Sequence, residues 1–223
     1  PVVDQNDVLW GVITYDDLVD VLEDEATEDI YRLANVSDPD LSFDSPVGIS
    51  IRRRIPWLYI SGVTALFASW VISQFQAVIA QVAILAAFQS VVAGLGGNTA
   101  TQTLAIIVRA IALGEIELKD AWHTLVKEAT VGLLQGIFVG AAAGVGVYLW
   151  TDNPYLGLVL GLALVGNMLI AASVGTLVPL VLKAANLDPA LASTVLVTSV
   201  TDSVGFALFL GLASLFIAQM QGL

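Results

Sequence analysis

Five apolar stretches dominate the sequence, at residues 56–75, 77–95, 129–150, 154–182 and 189–218. Each is close to or above the roughly 20 residues that a helix needs to cross a hydrocarbon layer. Inside lipid every backbone N–H and C=O must be paired within the protein, which leaves helices or closed barrels as spanning elements. Runs of this length and continuity are helical, not barrel-like. The expected fold is therefore an all-α polytopic membrane protein with five transmembrane helices. Four spans plus one re-entrant segment is the alternative. Pro179 predicts a kink or an end in the fourth span. Only 13% of residues are charged, against about 25% in an ordinary soluble domain, so disorder and a water-soluble globule are both disfavoured.

The charges that exist are unevenly placed. Residues 1–54 hold 13 of the 20 acids and four of the eight bases. The net charge of −12 thus describes an acidic head on a nearly neutral body, and it argues against a nucleic-acid partner. Arg52, Arg53 and Arg54 precede the first span, Arg109, Lys119 and Lys127 lie between the second and third, and Lys183 lies between the fourth and fifth. The connections around Gln76 and residues 152–153 carry no base. With Arg32 in the head, every base falls on one side, which the positive-inside rule assigns to the cytoplasm. The N-terminus is then inside and the C-terminus outside.

There are no cysteines and His123 is the only histidine, so disulfides, thiolate sites and cysteine nucleophiles are excluded and a zinc centre lacks ligands. No nucleotide-binding P-loop is present, which argues against ATP-driven pumping by this chain. The chain opens at Pro1 inside a strand-like run with no signal peptide ahead of it, which reads as a fragment whose upstream part is absent.

In the head, residues 1–4 and 9–14 read as strands around a turn at 5–7, and a helix starts near Asp16 with acids in its first turn. Eight acids and no base fill residues 16–29. On a helix Asp17 and Asp20 share a face, as do Glu25, Glu28 and Asp29. Such faces are either solvated or bound to hard divalent cations, which favour carboxylates and water.

Within the body, Gly132, Gly136, Gly140 and Gly144 recur every four residues. They form one smooth helical face, suited to tight packing within the chain or to a subunit interface. Gly96-Gly97-Asn98 predicts a sharp turn after the second span, with Asn98 or Thr99 capping a following helix over 99–112. Arg109, Glu115 and His123 read as residues of the membrane surface. Asp202 stands apart, near the middle of the fifth span with about a dozen uncharged residues on either side. A central carboxylate costs about 2.5–3.5 kcal/mol on insertion scales, and such groups face a protein interior or a wet cavity. Thr198 and Gly205 lie one turn away on the same face, and Thr201 and Ser203 add hydroxyls. No other span supplies a base. An ion-pathway carboxylate is favoured over a protonated, hydrogen-bonded one.

Taken in order, these segments resemble the MgtE family of magnesium channels and transporters over nearly the whole chain. Residues 1–3, Gly11-Val12-Ile13-Thr14 and Asp16-Asp17 look like the end of a CBS domain. Residues 26–30 look like the start of the family's plug helix, continuing to Arg54. Gly96-Gly97-Asn98 with Gln102 and Arg109-Ala110 is similar to the central signature, and Asp188-Pro189-Ala190 with Thr201-Asp202-Ser203 and Gly205 is similar to the last span. The resemblance implies a CBS remnant at 1–25, a cytoplasmic plug helix at 26–54 and a pore domain at 55–223. It implies a homodimer in the inner or plasma membrane, with Mg2+ held by paired pore aspartates at Asp202, alongside Thr198 and Gly205. It implies intracellular Mg2+ sensing by Asp17, Asp20, Glu25, Glu28 and Asp29, with Mg2+ both cargo and regulator. Asn98 and Gln102 belong to the signature. Gln76 departs from the family, which often has an acid there.

The leading expectation is a Mg2+-selective channel and not an enzyme. The competing readings are a divalent cation–proton exchanger using Asp202 and a membrane sensor that passes no cation. An intramembrane hydrolase is weaker, because Asp202 has no second central aspartate and the serines have no histidine within a span.

Overall fold

The computed structural model describes residues 1–36, 41–190 and 193–221. Two short antiparallel strands, β1 (Val2–Val3) and β2 (Leu9–Gly11), pair Val2 with Gly11 and Val3 with Leu9. Helix α1 (Tyr15–Leu33) follows, then α2 (Val47–Ser73), the short α3 (Gln76–Gln81), α4 (Leu85–Ala112), a 3-10 turn (Leu118–Asp120), α5 (Ala121–Thr151), α6 (Pro154–Ala184), α7 (Ser193–Leu215) and α8 (Ile217–Gln221). Among the described residues, α2, α4, α5 with its preceding turn, α6 and α7 are long and apolar enough to cross a membrane. The all-α, five-span expectation holds.

Helix α6 is the centre of the body, packing on α4, α5 and α7, and α4 also packs on α7. Helix α2 packs chiefly on α7. The main core gathers Leu85, Phe88 and Val92 of α4, Leu156, Leu160 and Leu164 of α6, and Phe209 and Leu210 of α7.

The glycine face of α5 is turned inward onto α6. A Cβ at Gly140 would lie 2.6 Å from the Gly161 carbonyl oxygen, and one at Gly144 would lie 2.7 Å from that of Gly157. Any side chain larger than hydrogen would push the two backbones apart, so these glycines serve close approach within the chain.

Four sequence expectations need correction. The helix expected from residue 26 to Arg54 is not continuous. Helix α1 begins at Tyr15 and ends at Leu33, where Asn35 adopts a left-handed φ of 59° and the Val36 N–H closes back on the Tyr31 carbonyl oxygen at 2.8 Å. Asparagine tolerates that conformation, and it turns the chain out of the helix. Arg52, Arg53 and Arg54 then sit on α2.

The second apolar segment is divided at its start, not at its end. The chain breaks between α3 and α4 at residues 82–84, and Gly96-Gly97-Asn98 lies inside the continuous α4. Neither Asn98 nor Thr99 is a cap. Asn98 is exposed on the helix surface, and the Thr99 hydroxyl bonds back to the Leu95 carbonyl oxygen at 3.0 Å. Of the kink or end expected at Pro179, the end is excluded, because α6 runs on to Ala184 with Pro179 inside it. Neighbouring helices accommodate a proline within a membrane span. The first and third spans begin earlier than expected, at Val47 and Ala121, because their helices continue past the apolar stretch, whereas the fifth is shorter than expected, running from Ser193 to Leu215.

Candidate functional site

Asp202 sits in the ninth residue of the α7 span Thr194–Leu215 and is half-buried. Among the described residues it forms no ion pair, and no three His, Cys, Asp or Glu side chains come together to hold a metal. Thr198, also half-buried, donates its hydroxyl to the Thr194 and Val195 carbonyl oxygens at 2.8 and 3.2 Å. Its oxygen keeps acceptor capacity. Thr201 is fully buried and donates to the Thr198 carbonyl oxygen at 3.1 Å. Ser203 is buried with no partner for its hydroxyl.

Gly205 faces inward. A Cβ there would lie 2.8 Å from both the Nδ2 and Oδ1 atoms of Asn167. A Cβ at Gly96 of α4 would also collide with that amide. Asn167, on α6, is completely buried and donates Nδ2–H to the Val92 carbonyl oxygen at 2.9 Å, while its Oδ1 has no partner. Gly96, Asn167 and Gly205 therefore share one depth in the membrane. At 1.5 Å rise per residue, Asn98 lies about 3 Å and Asp202 about 4.5 Å from that level, both on the side of the α6–α7 connection. Asn98 and Asp202 are thus at nearly the same level on neighbouring helices.

One face of α4 is polar and uncovered. Asn98, Thr101, Gln102 and Arg109 are all exposed. A carboxamide stripe on a spanning helix is costly against acyl chains, so it faces protein or water.

The acidic helix meets the body at the connection between α6 and α7. Arg32 pairs with Glu28 one turn earlier and with Asp188 in the connection between α6 and α7. Leu33 packs with Leu104, Val108 and Ala190, and its carbonyl oxygen accepts the Thr194 hydroxyl at 2.7 Å. Glu28 is therefore partly neutralised by a base just beyond the acidic run. Asp17 is occupied as well, because its Oδ2 accepts the Thr14 N–H and hydroxyl, both at 2.7 Å. These donors hold its carboxyl below the ordinary range. Asp20 is exposed. The side chains of Glu25 and Asp29 lie outside the described residues. The structure brings Glu28 to the body and does not gather it with Asp17.

Asn167 escaped the sequence reading, although a lone carboxamide amid the apolar residues of α6 was a usable signal. Glu128 escaped it too. It is buried on α5, beside a segment boundary that had been drawn at residue 129.

Residues 89–212 match the MgtE family, described as divalent cation transporters. The chain is 38% identical over 219 residues to a protein of Thermus thermophilus named magnesium transporter MgtE, covering 97% of this chain and 48% of that one. It is 33% identical to a Bacillus subtilis protein of the same name, covering 99% and 49%, and 32% identical to one of Enterococcus faecalis, covering 97% and 47%. The chain spans about half the length of these curated relatives.

Proposed function

This chain belongs to the MgtE family of divalent cation transporters, and on that footing we propose that it carries Mg2+ passively across the inner or plasma membrane along a path that passes Asp202. The observation that carries the reading is a half-buried carboxylate at mid-membrane with no base among the described residues to neutralise it. Such a group is tolerated where water and cations reach it. Mg2+ sheds its waters reluctantly. A carboxylate that binds the hydrated ion through those waters attracts it without demanding dehydration, and the weak hold permits exit.

One chain supplies one such carboxylate. A second copy about a two-fold axis supplies the other and covers the polar stripe of α4. In this homodimer, Asp202 and Thr198 of each copy line the path, and Asn98 and Gln102 sit at its side. The N-terminus lies in the cytoplasm and the C-terminus outside, following the distribution of bases. Residues 1–25 form the end of a CBS domain, residues 26–54 the plug segment and 55–223 the pore domain. The exposed apolar side chains of the head, including Leu9, Trp10 and Tyr15, suit packing against further protein. Internal Mg2+ bound by the head acids Asp17, Asp20, Glu25, Glu28 and Asp29 favours closure, with the greatest weight on Glu28 because it reaches the body through Arg32.

The test is uptake into liposomes containing the purified chain, with Mg2+, Mn2+, Co2+ and Ca2+ offered one at a time. Mg2+ entry without a pH gradient supports the reading. Entry that requires a proton gradient favours an exchanger, and no entry of any cation favours a sensor.

A further inference from the structure

The fully buried amide of Asn167 has no obvious use in holding the fold. Its Nδ2–H reaches the Val92 carbonyl oxygen, but its Oδ1 is left without a partner. A buried acceptor without a donor opposes folding, whereas an apolar group of the same shape is neutral or favourable there. Leucine has that shape. The position is nonetheless occupied by a carboxamide, and glycine stands on both helices that face it.

We propose that Asn167 is a positioning residue of the ion path: its amide is wedged between Gly96 of α4 and Gly205 of α7 and sets the spacing of the helices that carry Asn98 and Asp202. This rests on the assignment of Asp202 to the path. Gly96 and Gly205 leave no side chain of their own to hold α4 and α7 apart, so the thickness of one planar amide determines the gap. The hydrogen bond to Val92 fixes the plane of that amide and therefore which edge each glycine meets. Asn98 lies about half a turn from Gly96, and Asp202 about one turn from Gly205. A change in the wedge is transmitted to both with little lever length in which to dissipate. Interiors are close-packed, so a change of this size moves backbone and is not absorbed in a void.

Mg2+ and Ca2+ differ in size and in how firmly they hold water. A path that reads the hydrated ion discriminates between them through the spacing of its polar groups. Asn167 touches no ion, so it acts on selectivity through that spacing alone.

The experiment measures Mg2+ and Ca2+ uptake into liposomes, together with thermal unfolding in detergent, for the unmodified chain, Asn167→Leu, Asn167→Ala and the pair Asn167→Ala with Gly205→Ala. The expected result is that Asn167→Leu unfolds at the same or a higher temperature while its Mg2+ to Ca2+ uptake ratio falls roughly fivefold, the scale of coupling seen at residues that touch no ligand. Asn167→Ala also loses selectivity, and the added methyl at Gly205, which points at the vacated amide position, restores part of it. An unchanged ratio in both single variants overturns the inference. So does a loss of stability with an unchanged ratio in the folded fraction, since that is a purely structural residue. Should the leucine variant not fold, the alanine variant and its paired rescue decide: selectivity lost and then regained supports the wedge, and no recovery overturns it. If the unmodified chain takes up no Mg2+, it is the transport assignment that has failed.

Discussion

Thr194 donates its hydroxyl to the carbonyl oxygen of Leu33 at 2.7 Å, which ties the last turn of the acidic helix to the first turn of the helix that carries Asp202. The Arg32–Asp188 pair lies beside it. The two contacts act on the same short stretch of backbone. Arg32→Gln and Asp188→Asn are each expected to speed amide exchange at residues 30–34, and the double variant to add little. The pair is partly exposed, so its worth is under about 1 kcal/mol. Fully additive effects in the exchange measurement would show that the two side chains do not act as a pair.

Asp202→Asn keeps the shape and removes the charge. Losing as little as ~1.4 kcal/mol of ion attraction lowers occupancy tenfold, so Mg2+ uptake is expected to fall by at least that factor while the protein still folds. Asp202→Glu keeps the charge and crowds the path, and partial activity is expected. Normal uptake and selectivity in the asparagine variant would remove Asp202 from the path.

Topology is directly accessible, because the native chain has no cysteine to give background. A cysteine at Gln74 or at Leu223, which lies outside the described residues, should react with an impermeant reagent added to intact cells. One at Glu115 should react only after lysis. The reverse pattern would invert the orientation.

Gly144→Ala places a methyl 2.7 Å from the Gly157 carbonyl oxygen, whereas Gly146→Ala meets nothing within 4 Å. The first is expected to destabilise by about 1–3 kcal/mol, and the second by no more than about 0.5 kcal/mol. Thermal unfolding of the two variants in one detergent compares them. Equal effects would mean that the α5–α6 seam is looser than described.

Asp17 should make the start of α1 sensitive to acid. Its carboxyl is held low by the Thr14 N–H and hydroxyl, so the ionised form is the one favoured in the folded helix. Its contribution is complete above the ordinary carboxylate range and is lost as pH falls through the lowered folded value. Amide exchange at residues 17–19, corrected for intrinsic rates, is expected to gain protection with rising pH across that window. Asp17→Asn should flatten the dependence. A flat profile in the unmodified chain would contradict the cap.

The spans were legible because apolar length is a property of composition and needs no knowledge of neighbours. Asp202 was legible for the same reason, as a charge where none is expected. Gly96-Gly97-Asn98 was misread because two glycines satisfy either a turn or a close approach, and only the presence of Asn167 on another helix distinguishes them. Asn167 lies 71 residues away in sequence, so no local pattern records the pairing. The end of α1 at Asn35 was missed because asparagine is tolerated both in helices and just beyond them. The pairing of Glu28 with Arg32 was in reach, being a four-residue spacing, but the contact of Arg32 with Asp188 depends on a loop more than 150 residues later.

The seam between α5 and α6 also decides what this molecule can do in time. Where Gly140 faces Gly161 and Gly144 faces Gly157, backbone lies on backbone. No side chain there has an alternative rotamer to visit, and sliding one helix along the other would drive a neighbouring side chain into a carbonyl group. The two helices are joined by a connection of two residues, so they form one close-packed hairpin. They are the stationary frame of the body. Any rearrangement within the body is left to α2, α4 and α7.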